Sequence, residues 1–152
     1  MTKPISAFET ADRQAWMGLL ARAVPARLAA LMPHPLPDHA VLRPAEVGAV
    51  MVRGRIGASG GPFNLGEMTV TRCSVRLASG EVGHAHVQGR DKGHALRAAV
   101  LDALMQTTQA AALRSAVLVV LASEEAGRRL LRAQKAAATK VDFFTMVRGE
   151  NR

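Results

Sequence analysis

Residues 67–77, EMTVTRCSVRL, hold a strict period of two, with Thr69, Thr71, Cys73, Val75 and Leu77 on one side and Met68, Val70, Arg72, Ser74 and Arg76 on the other. A period of two is a strand with two unlike faces. Ser79-Gly80 then turns the chain, and VGHAHVQG follows, so the pair reads as an antiparallel hairpin. Upstream, AVLRPAEVGAVMVRGRIG reads as a further strand, joined to the first by the glycine-rich GASGGPFNLG, an ordered loop or a hinge.

Helical patterns flank this sheet. Ser6 and Glu9 make a capping box ahead of Trp16, Leu19, Leu20 and Ala23, predicting a helix from about Ala7. Pro25 suits the first turn of a second helix carrying Leu28, Leu31 and Met32, and PHPLP at 33–37 ends it as a linker. In QGRDKGHALRAAVLDALMQ, Asp91 caps a helix whose stripe is Leu96, Val100, Ala103 and Leu104. A last helix is expected from Ser123, with Glu124 and Glu125 in its first turn and Arg128, Arg129, Arg132 and Lys135 beyond. Its basic face reads as solvated or as a docking surface. The expected class is α+β: N-terminal helices, a central antiparallel sheet with a hairpin, two further helices and a strand-like C-terminal tail.

The 152 residues suit one domain, 1–152, and no apolar run is long enough for a membrane span. No secretory signal is visible at MTKPISAFET, and the lone Cys73 forms no internal disulfide; both fit the cytoplasm. The net charge of +8 points to an anionic partner: nucleic acid, a phosphorylated metabolite or an acidic protein surface. All basic residues but Lys3, Lys92, Lys135 and Lys140 are arginine, whose fork matches phosphate and carboxylate.

Arg90, Lys92 and His94 surround the start of the Asp91-capped helix, where free backbone N–H groups and positive side chains offer a candidate anion site. The alternative is an ordinary capped helix, since no phosphate-loop motif is present. On a two-residue turn at Ser79-Gly80, Cys73 would face His86, with His84 on the same side, but no fourth ligand completes a metal site. Spacing alone names no catalytic residue. At the tail, 141–152, adjacent Phe143 and Phe144 would point to opposite faces of a strand, and one core covers only one face. With Met146 they are candidate docking residues for a partner subunit, or for a second copy in a tail-exchanged homodimer.

The runs GRIGASGGPFNLGEMTVTRCSVRL, GHAHVQGRDKGHALRAAVLDALMQ and VDFFTMVRG, with RQAWMGLLARA near the start, resemble the PhnG family, small subunits of the bacterial carbon–phosphorus lyase core complex. The likeness covers nearly the whole chain. It implies association with H, I and J subunits, chiefly the I subunit, in phosphonate catabolism. It also implies support for the displacement of adenine from ATP by an alkylphosphonate, giving α-D-ribose 1-methylphosphonate 5-triphosphate. ATP with Mg is then a substrate of the complex, and the resemblance implies no cofactor held by this chain. The family supplies no catalytic residue to carry over, so the isolated chain is expected to be inactive. The other readings are a small basic nucleic-acid-binding protein, disfavoured by the shortage of aromatics, and a stand-alone enzyme using Cys73 and the histidines.

Overall fold

The computed structural model describes residues 7–141, with side-chain environments from residue 11 onward. Its α+β order is α1 (Ala7–Arg22), α2 (Pro25–Leu31), β1 (His39–Arg55), β2 (Pro62–Leu77), β3 (Val82–Gln88), α3 (Lys92–Leu104), α4 (Ala110–Leu113) and α5 (Val119–Ala138). The three strands form one antiparallel sheet in the order β1-β2-β3. The alternation in β2 is realised: Thr71, Cys73, Val75 and Leu77 are buried, while Arg72 and Arg76 are exposed. Val70, of the opposite set, is buried as well, flanked by Gly48 and Gln88.

Two expectations are corrected here. The Ser79-Gly80 turn holds three residues between the Leu77 and Glu81 pair, with Gly80 at φ 108°, a conformation glycine adopts without steric cost. That one extra residue shifts the register, so Cys73 lies opposite Ala85, and His84 and His86 lie opposite Ser74 and Arg72. A slip of one reverses the faces. Cys73 therefore joins the core, and both histidines are exposed on the other side. The last helix does not begin at Ser123 either, because α4, a π-helical turn at Arg114–Leu118 and α5 run on without a break. Glu124 and Glu125 lie within α5 and bond the N-terminal helices: Glu124 accepts from Arg27 Nε and Glu125 from Arg22 Nε, each at 2.7 Å.

α3 is the centre of the molecule. Nine of its residues are buried, among them Leu101, Ala98 and Ala99, which the predicted stripe omits, because the sheet covers one side and α1 and α2 another. Alanines let the backbones approach closely. At Gly83 of β3 a Cβ would overlap the Ala99 carbonyl oxygen and come within 2.6 Å of the Ala103 nitrogen, so only glycine fits. Leu20, Leu28, Met32, Val117, Leu118 and Leu121 close the core from α1, α2 and the terminal helix.

One buried carboxylate joins three of these elements. Asp102, fully buried, accepts from Arg13 Nη2 (2.7 Å) and Nε (3.2 Å), from Trp16 Nε1 (2.8 Å) and from the His84 backbone N–H (2.9 Å). Arg13 and Gln106 also donate to the Val82 carbonyl, so side chains satisfy that group at the outer edge of β3. At the opposite end of the sheet, β1 and β2 pair beyond the reach of β3, from Ala49↔Thr69 to Arg55↔Pro62, as a two-stranded ribbon. It exposes Met51, Ile56, Phe63 and Leu65. Half of the expected glycine-rich loop, Pro62–Gly66, is thus strand, and a 3-10 turn at Ile56–Ala58 with its neighbours makes the connection.

Removing a buried charge partner leaves the rest uncompensated, so Asp102→Ala is expected to destabilise the fold by about 3–5 kcal/mol. Urea unfolding measures this; a loss below about 1 kcal/mol would show that the cluster is dispensable.

Candidate functional site: an arginine groove beside the buried helix

On α5, Glu125, Arg128, Arg129 and Arg132 recur at the i, i+3, i+4, i+7 spacing that shares one helical face. That face looks onto the elbow between α1 and α2, and the two enclose a groove of about 440 Å³. Ala21, Arg22, Ala23 and Pro25 line it from the elbow, Gln88 from the end of β3 and His94 from the first turn of α3. Four arginines thus meet one carboxylate. Glu125, its side chain 14% exposed, accepts from Arg22 Nε and Arg129 Nη2, both at 2.7 Å, and fixes those two guanidinium groups. Arg128, half-buried, and Arg132, exposed, have no carboxylate partner among the described residues.

Of the predicted anion-site residues, His94 alone lines this groove. Arg90 and Lys92 are exposed on either side of Asp91, and neither lines the groove. Asp91 caps α3 as expected, its Oδ1 accepting from the His94 N–H at 2.8 Å, which uses one of the free donors at that terminus. The His94 ring turns inward. Buried to 2% exposure, it places Nε2 2.8 Å from the Leu20 carbonyl and ties α3 to α1. The docking candidates Phe143, Phe144 and Met146 lie outside the described residues. Sequence reasoning saw Arg128, Arg129 and Arg132 as one basic face but missed Arg22 and Gln88, which come from distant elements; the available signal was the stripe that Glu125 shares with the arginines.

The nucleophile and metal candidates fare differently. Burial pushes the Cys73 thiol up, away from the thiolate form, against a smaller opposing effect of the Ser74 backbone, and Sγ lies 3.5 Å from the Arg43 carbonyl. Ser74 Oγ and His84 Nδ1 are 2.9 Å apart on the other face, a pair the spacing analysis did not find. Among the described residues no carboxylate bonds the second ring nitrogen to orient it. No group of three His, Cys, Asp or Glu side chains converges as a metal site among the described residues.

The hydrogen bond from Arg22 holds the Glu125 carboxyl below the usual carboxylate range, with the charges of Arg22 and Arg129 adding to it against desolvation. A depressed folded pKa stabilises above the unfolded value, about 4.3 for Glu, and that contribution is lost as pH falls through the folded value. Glu125→Gln should therefore melt below the parent protein at pH 7, with the gap narrowing below about pH 4. A gap independent of pH in thermal unfolding would show that the clamp is not ionic.

The profile of the family described as "Phosphonate metabolism protein PhnG" matches residues 11–149. Over 143 residues the chain is 46% identical to the "Alpha-D-ribose 1-methylphosphonate 5-triphosphate synthase subunit PhnG" of Rhizobium meliloti (strain 1021), covering 93% of this chain and 92% of that protein. The match spans α3, the groove arginines of α5 and most of the tail; this chain belongs to the PhnG family of phosphonate metabolism proteins.

Proposed function

We propose that this chain is the G-type subunit of an α-D-ribose 1-methylphosphonate 5-triphosphate synthase in phosphonate catabolism, required by the assembly but not itself catalytic. The observation that carries the reading is the similarity to a synthase subunit over nearly the full length of both chains. In this reading the chain joins H-, I- and J-type subunits in the cytoplasm, chiefly the I type. The assembly displaces adenine from ATP with an alkylphosphonate, Mg-ATP is its substrate, and this chain holds no cofactor. No helix among the described residues is long and apolar enough to cross a membrane.

Two features support a non-catalytic role. The thiol of Cys73 is packed in the core, and the Ser74–His84 pair has no orienting carboxylate among the described residues. A displacement at a sugar carbon between polyanions depends on positioning and on charge held in place, and an arginine-rich subunit can contribute both.

The reading is tested by co-expression with H-, I- and J-type subunits and an assay of adenine release from Mg-ATP with methylphosphonate. The chain alone should release none, and the other subunits should need it. Release by the isolated chain would overturn the non-catalytic role; full release without it would overturn the requirement.

The tail contributes to partner binding in the same reading. Each buried Phe is worth about 2–3 kcal/mol, so Phe143→Ala with Phe144→Ala should leave circular dichroism unchanged and weaken capture by the I-type subunit. Undiminished capture would exclude the tail as a docking element, and unfolding would assign it to the chain's own core.

A further inference from the structure

We infer that the groove between α5 and the α1–α2 elbow is an oligophosphate site, taking the triphosphate of a nucleotide or of a ribose 5-triphosphate. The ligand's identity rests on the synthase reading above; the site itself rests on geometry.

The groove is built from five elements, and its charge is unbalanced, with four arginines around the single carboxylate of Glu125. That carboxylate is already shared between Arg22 and Arg129 and so serves to position them. Their guanidinium groups are held before any ligand arrives, which lowers the ordering cost of binding. Arg128 and Arg132 stand one helical turn apart, about 6 Å along the axis, a separation that a chain of linked phosphates can follow. Neither has a carboxylate partner among the described residues, and half-burial of Arg128 strengthens its attraction for an anion relative to an arginine in open solvent. Gln88 adds an amide, uncharged and able to donate.

Three other helix arginines are committed elsewhere, while Arg97 of α3 does not line the groove. Arg13 is spent on Asp102, Arg27 on Glu124, and Arg114 on Asp12 and the face of Trp16. What distinguishes Arg128 and Arg132 from the unpaired basic residues elsewhere on the surface is that both line one concavity. A volume of about 440 Å³ admits a triphosphate with part of a ribose, whereas a duplex backbone presents its phosphates along a convex rod that the groove does not match. Single-stranded recognition would call for exposed aromatics beside the arginines, and none lines the groove.

The experiment is calorimetric titration of the full chain with inorganic tripolyphosphate at low salt. Tripolyphosphate and ATP should bind with similar affinity, AMP far more weakly, and raised salt should weaken binding. Arg128→Ala with Arg132→Ala should reduce affinity about tenfold or more, while Arg53→Ala with Arg55→Ala on the ribbon should not. Arg132→Glu, at an exposed position, provides a second variant should the double one fold poorly. No binding of tripolyphosphate, equal binding of AMP and ATP, unchanged affinity in both groove variants, or tighter binding of single-stranded DNA than of tripolyphosphate would each overturn the inference. A chain that fails this titration yet completes an active synthase would leave the subunit assignment standing and remove only the groove's role.

Discussion

The carboxylate of Asp102 sits where three elements must agree. It is fully buried, and its acceptor sites are filled from α1, through Arg13 and Trp16, and from β3, through the His84 N–H. A charge so placed is tolerable only when every donor is present, which makes the arrangement close to all-or-none. If α1 were docked a turn away, or β3 moved by a residue, the carboxylate would be left with too few donors. The close packing of Gly83 on Ala99 and Ala103 needs the same placement of β3 on α3. Polar and apolar contacts therefore fix one geometry, and the groove inherits it, since Gln88 and His94 are carried on those two elements.

Much of this was legible in the sequence where the signal is local. The alternation of β2, the Asp91 cap and Pro25 at a helix start each depend on a few neighbouring residues, and each is seen. What was not legible depends on long-range pairing. The hairpin register hinged on whether the Ser79-Gly80 turn holds two residues or three, and composition fits both. Glu124 and Glu125 looked like first-turn acids because their true partners, Arg27 and Arg22, lie about a hundred residues away. Asp102 interrupts an apolar pattern, and its donors come from α1 and β3. Of the candidate site, the basic face of α5 was visible; the concavity was not, for the same reason.

The arginines divide into two groups by burial and partner. Some are structural clamps, as Arg13 is to Asp102 and Arg114 to Asp12. Others, Arg128 and Arg132 among them, add to the net charge of +8 without a carboxylate partner among the described residues. Surface ion pairs contribute little to stability, so the second group costs the fold little and is free to serve binding.

The two edges of the sheet differ in how far side chains occupy their backbone groups. Along β3 the Val82 carbonyl accepts from Arg13 and Gln106, and the His84 N–H donates to Asp102. Along β1 no strand lies outside among the described residues, although bulges around Arg43 to Glu46, with Pro44 among them, interrupt the run. A sheet with two receptive edges can pass strand pairing from molecule to molecule without limit, giving fibres. Side chains thus occupy the Val82–His84 end of the β3 edge, which makes that end the less receptive to a further strand. Occupying one edge in this way disfavours strand pairing that runs on from molecule to molecule through both sides of the sheet.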